Sequence, residues 1–141
     1  MREKLPEFEK LKVRLACIAQ GDAKDAAELC GVYGMTAHCV PDPKRESYRK
    51  LGLDRTTWMA LVRPSHELRR RRTENRDAGF SINFQRSMKG TCDILLLPGA
   101  ALVARGGKIL WLHCGAHPAD LPSADDLLNT TRQYLEASAA G

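Results

Sequence analysis

With 141 residues, 43% of them hydrophobic and 28% charged, the chain is long enough for one compact domain and too apolar for a disordered one. No apolar run approaches the roughly 18–20 residues of a membrane helix, and Met1-Arg2-Glu3-Lys4 leads into a charged amphipathic stretch, not a secretory signal. The expectation is a soluble, cytoplasmic protein without membrane contact. The net charge of +5 is unevenly placed, since Lys44 to Lys89 hold 13 Lys/Arg against 5 Asp/Glu.

Leu5, Phe8 and Leu11 recur at helical spacing through Lys10, with Pro6 tolerated only near a helix start. Val13 to Ala19 reads as a strand without polar alternation, which suits a strand covered on both faces. Asp22 is placed to cap a helix running through Gly31, with Ala23, Ala26, Ala27 and Cys30 on its inner stripe. A second strand is expected over Met35 to Val40. Asp42 as cap and Pro43 at the first helical position then start a helix that stops at Gly52. Residues 54–90 form a basic, irregular insert holding the run Arg69-Arg70-Arg71-Arg72 and one or two short helices. Ala100 to Ala104 and Ile109 to His113 pair as a hairpin around Gly106-Gly107. Ser123, with Asp126 three residues on, caps a last helix whose inner face is Leu127, Leu128, Thr131 and Leu135.

Strand–helix alternation followed by a hairpin and a closing helix predicts an α/β domain spanning residues 1–141, with a mixed sheet and helices on both faces. The local sequences sharpen this. Leu5-Pro6-Glu7-Phe8 through Val13-Arg14-Leu15, Asp42-Pro43, Tyr48-Arg49-Lys50-Leu51-Gly52-Leu53 and Arg55-Thr56-Thr57-Trp58 follow in order. Leu97-Pro98-Gly99, Gly106-Gly107-Lys108-Ile109, Trp111-Leu112-His113 and Asp120-Leu121-Pro122 complete the series. In order and spacing the chain resembles the peroxiredoxin-like AhpC/TSA antioxidant family. That resemblance implies a thioredoxin-like, three-layer α/β/α fold. In the family a central strand and a cysteine-bearing loop precede the helix with which this chain opens. The resemblance therefore implies an N-terminally truncated fold without the usual reactive-cysteine segment.

Five cysteines are present: Cys17, Cys30, Cys39, Cys92 and Cys114. None forms a C-x-x-C pair, and the odd count without a secretory leader argues against a disulfide framework. Cys17, in an apolar strand, and Cys30, on a helix's inner face, read as buried inert thiols. Cys39 follows His38, whose imidazolium favours a thiolate, although neighbours on a strand point to opposite faces. Cys92 stands in Lys89-Gly90-Thr91-Cys92-Asp93 near basic residues. By resemblance Pro98 occupies the place of the proline, commonly cis, beside the redox site, and His113 matches a family histidine at the strand end. Cys92 and Cys39 are thus the catalytic candidates, with Pro98 and His113 in support. His113, Cys114 and His117 lack a fourth metal ligand, and no cofactor or metal is assigned.

Three functions follow. The resemblance implies a thiol oxidoreductase reducing peroxides or disulfides, served by a thiol reductant protein. A catalytically silent thioredoxin-like interaction module, homodimerising through an exposed sheet edge, is the second. Polyanion binding through the basic insert is the third; no aromatic ladder accompanies the arginines, which disfavours nucleic acid.

Overall fold

The computed structural model describes residues 2–33, 39–62, 66, 69, 70, 73 and 93–139. A 3-10 turn (Arg2–Lys4) runs into helix α1 (Leu5–Lys10), with Pro6 in its first turn as its missing N–H requires. Lys12 ends α1 in the left-handed region at φ 55. Its N–H reaches the Glu9 carbonyl at 2.8 Å, and the Val13 N–H reaches Phe8 at 3.0 Å. This is the Schellman arrangement, made by a lysine where glycine is usual.

Strand β1 (Cys17–Gln20), helix α2 (Ala23–Tyr33) and strand β2 (Cys39–Asp42) form a βαβ unit with parallel strands. The Asp22 carboxylate accepts from the N–H groups of Lys24 and Asp25 at 2.9 and 3.0 Å, so the expected cap is in place. The register sets Cys17 beside Cys39, Ile18 beside Val40 and Gln20 beside Asp42. β1 starts later than the apolar run suggested. Residues 35–38 of the expected second strand fall outside the described residues. β1 is also not covered on both faces. Ala19 is buried, whereas Ile18 and Val40, paired on the opposite face, are 40% and 47% exposed. On α2 the buried positions are Ala26 and Cys30, while Ala23 and Ala27 are exposed.

Asp42 caps the next helix from further away than expected. A turn through Pro43, Lys44 and Arg45 intervenes, and helix α3 spans Glu46–Lys50. The carboxylate accepts from the N–H groups of Glu46 and Ser47, both at 2.9 Å, and from the Ser47 hydroxyl. Gly52, at φ 67, closes α3 with a second Schellman pair, Gly52 N–H to Arg49 and Leu53 N–H to Tyr48. Helix α4 (Trp58–Val62) follows Thr57, whose hydroxyl accepts from Ala60 N–H.

Strands β3 (Gly99–Val103) and β4 (Ile109–Cys114) make the expected hairpin, with a register irregularity at Leu102/Val103. Only Gly107 of the two turn glycines uses a positive φ, at 83. Helix α5 (Ala124–Ala139) begins at the expected capping box: Ser123 hydroxyl and N–H donate to the Asp126 carboxylate, and Asp126 N–H returns a bond to the hydroxyl. Leu128 and Thr131 are buried on it, Leu127 is half-buried, and Leu135 is exposed. The buried Thr131 hydroxyl donates to the Leu127 carbonyl at 2.7 Å.

Among the described residues the strands form two two-stranded sheets, β1–β2 and β3–β4. Polar ties join the parts. The Gln20 side chain bonds the Asp93 backbone in both directions, Arg55 pairs with Asp93, and Leu97 N–H reaches Asp54. The 3-10 turn and α1 are held to α5 by Lys4–Asp125 and Glu7–Arg132. Phe8, Ala19, Ala26, Cys30, Leu97 and Leu128 form the buried apolar set. The chain is thus an α/β fold with both parallel and antiparallel pairing.

Candidate functional site

The period of a β-strand puts Cys17 and Ala19 on one face of β1, and the register puts Cys39 on that same face of β2. α2 packs on this pair and contributes Cys30, which has no exposed surface. Cys30 and Cys39 form a disulfide across a Cα separation of 6.1 Å, within the range such bridges span. The Cys17 sulfur completes the group, and the three sulfurs lie within 4.8 Å of one another. Cys17 is a half-buried free thiol, and burial pushes its pKa up. The Cys39 sulfur is 3.1 Å from the Ala26 carbonyl, an acceptor for its S–H when the bridge is reduced.

The disulfide corrects the reading of the cysteines from spacing and parity. Cys30 is buried as expected but not an inert thiol, and Cys39 is its partner. The two are 9 apart in sequence and share no motif. What joins them is the βαβ geometry, which returns β2 beside β1 under α2. The signal was available in principle, because the three cysteines occupy the inward positions of all three elements.

Cys92 lies outside the described residues; its neighbour Asp93 is the residue tied to Gln20 and Arg55. Pro98 follows a trans peptide bond, as no described bond is cis. Its carbonyl accepts from Gly115 N–H at 2.8 Å. A side chain at Gly115 would collide with that carbonyl and with the Asp120 carbonyl, so glycine permits this close approach.

His113 stacks on Trp111, with ring centroids 6.2 Å apart, and its Nε2 lies 3.3 Å from the Asp120 carboxylate and 3.2 Å from the Asp120 carbonyl. Asp120 is held below the usual carboxylate range, first by the Ala116 N–H at 2.7 Å, with burial opposing and the nearby His113 and His117 assisting. Trp111, His113, Asp120, Leu121, Pro122 and Asp126 line an open cleft of about 290 Å³. A second cleft, of about 260 Å³, is lined by Arg45, Tyr48, Arg49, Arg55 and Asp93 among others. No described cysteine lines either cleft. The free thiol of Cys114 is exposed, and His117 Nδ1 accepts from Ala119 N–H. Of the arginine run, Arg69 and Arg70 are described and exposed; Arg71 and Arg72 are not among the described residues.

Three sulfurs thus lie together between one helix and two parallel strands of an α/β fold. The chain matches the family described as AhpC/TSA antioxidant enzyme over residues 1–117. It belongs to that family, and its thioredoxin-like, peroxiredoxin-like character was legible in its motifs. Searches of curated proteins and of solved structures gave no match. Among the described residues no helix is long and apolar enough to cross a membrane.

Proposed function

We propose that the chain is a peroxiredoxin-like thiol oxidoreductase whose working couple is the Cys30–Cys39 dithiol and disulfide. The observation that carries the reading is the pairing of a half-buried Cys39 with a fully buried Cys30 in a member of this family. Cys39 is the sulfur a small peroxide reaches. Its thiolate attacks the peroxide, an S–O bond forms as the O–O bond breaks, and the leaving oxygen takes a proton to depart as water or alcohol. The Cys30 thiolate then attacks the Cys39 sulfur. The S–S bond forms, the S–O bond breaks, and the hydroxide leaves as water. A dithiol reductant protein returns the pair to thiols by exchange, becoming oxidised itself.

Cys92 is the second candidate for the attacking thiol, since it precedes Asp93 in a basic stretch. Pro98 and His113 serve as supports, Pro98 by its bond to Gly115 and His113 through Asp120. The three-layer arrangement belongs to the same proposal.

The test is a mild peroxide pulse on the reduced chain, followed by a dimedone-type sulfenic-acid probe and mass mapping. Wild-type protein should pass quickly to the Cys30–Cys39 disulfide. Cys30→Ser should accumulate label at Cys39. Peroxide turnover that survives Cys39→Ser combined with Cys92→Ser overturns the assignment.

A second reading is favoured by the apolar face of β1–β2, where Ile18 and Val40 stand open side by side, and by Val103 and Ile109, also exposed, on the hairpin. In this reading the chain is a silent module that meets a second copy at its sheet, strand addition at the edge carrying these apolar side chains against the partner's. Sedimentation equilibrium decides it: a monomer at high micromolar concentration with protected β1 amides removes it.

A further inference from the structure

The peroxide reading uses two of the three clustered sulfurs and leaves Cys17 without a task. Cys17 is nonetheless built into the group. It is the register partner of Cys39 and sits on rigid strand backbone. Its sulfur is within 4.8 Å of both others, and among the described residues no histidine or carboxylate joins the set. Metal–sulfur bonds of about 2.3 Å around one ion set three sulfurs about 4 Å apart. Sulfurs within 4.8 Å of one another already lie near that spacing.

We propose that the reduced Cys17–Cys30–Cys39 cluster is a three-thiolate site for a soft monovalent ion, Cu(I). The donor set selects the ion. Thiolates favour soft metals over hard ones, and three sulfurs, with no oxygen or nitrogen ligand beside them among the described residues, satisfy a three-coordinate ion. A zinc site would need a fourth ligand or a water, and among the described residues no fourth side-chain donor joins the three sulfurs. Binding replaces three thiol protons with one ion, so it weakens as pH falls. It also competes with the disulfide, because both require the sulfurs of Cys30 and Cys39. The site is independent of which thiol attacks peroxide.

The experiment uses the full chain with Cys92→Ser and Cys114→Ser, so that only the three clustered cysteines remain. The protein is reduced, freed of reductant without air, and titrated with Cu(I) against a chromogenic Cu(I) chelator. Expected is uptake of one ion per chain, with Cys17, Cys30 and Cys39 all shielded together from iodoacetamide. The oxidised, Cys30–Cys39-bridged chain should take up none. Adding Cys17→Ser should weaken binding by more than the roughly 10–100-fold that loss of an outer-shell partner costs. The protein then still has the Cys30–Cys39 couple, so its peroxide-driven disulfide formation is scored separately. Equal Cu(I) affinity with and without Cys17, or shielding of two cysteines while Cys17 stays reactive, overturns the site. The shielding pattern needs no Cys17 variant, so a folding defect in that variant does not shelter the proposal.

Discussion

The βαβ unit β1–α2–β2 and the stretch that runs from the β3–β4 hairpin into α5 use the same kinds of element, yet they treat their polar groups in opposite ways. In the first, the inward positions carry sulfur, and burial without a hydrogen-bond donor pushes the Cys17 thiol up. In the second, the Asp120 carboxylate meets the Ala116 N–H and the His113 ring and is pulled down despite burial. Burial disfavours the charged form in both places, and the presence or absence of donors decides the sign. One place holds a thiol whose burial favours the neutral form beside a disulfide; the other holds a carboxylate kept charged at an open cleft.

The largest expected effect comes from α5. Leu128 is 1% exposed on α5, so Leu128→Ala should cost about 2–5 kcal/mol, read as a lower urea midpoint. Because α5 is tied to the start of the chain by Lys4–Asp125 and Glu7–Arg132, amide exchange should rise in α5 and α1 first. Next is reduction of the Cys30–Cys39 bridge. Releasing a loop of this length should cost about 2–3 kcal/mol in the chain-entropy estimate. Faster exchange should appear at β1 and β2 and leave the β3–β4 amides unchanged. Equal loosening of both sheets would break the comparison between the units.

The two units also differed in how far the sequence revealed them. The hairpin unit is written locally. Ser123 and Asp126 are three residues apart, Gly107 sits in the turn it closes, and both were readable without knowing the fold. The βαβ unit depends on register. Nothing near Cys39 in sequence announces Cys30, because the contact exists only once β2 lies parallel to β1 with Cys17 opposite Cys39. The same cause hid the open Ile18–Val40 face, since an apolar run does not say which side a helix will cover. Asp42 was read as a cap by residue type, but the left-handed turn at Arg45 that moves the helix start to Glu46 has no sequence signal in a lysine–arginine pair.

Asp42 gives the finest test, because it belongs to the βαβ unit yet behaves like Asp120. Burial works against its charge, but bonds from the Ser47 hydroxyl and the Glu46 and Ser47 N–H groups hold its carboxyl below the ordinary range, with Arg49 assisting. A carboxyl depressed on folding adds stability that is present above its unfolded value, about 3.9. That stability fades as pH falls through the lower folded value. Asp42→Ala should therefore cost about 1 kcal/mol near neutral pH, the usual size for a lost helix cap, and almost nothing in strong acid. Asp120→Asn should follow the same pH course with a smaller amplitude, a few tenths of a kcal/mol, since its pairing is part-exposed and screened. Urea midpoints of both variants between pH 7 and pH 2 check the sign. A cost that persists unchanged at pH 2 would mean that these residues act through packing, and the charge contrast between the units would then rest on the cysteines alone.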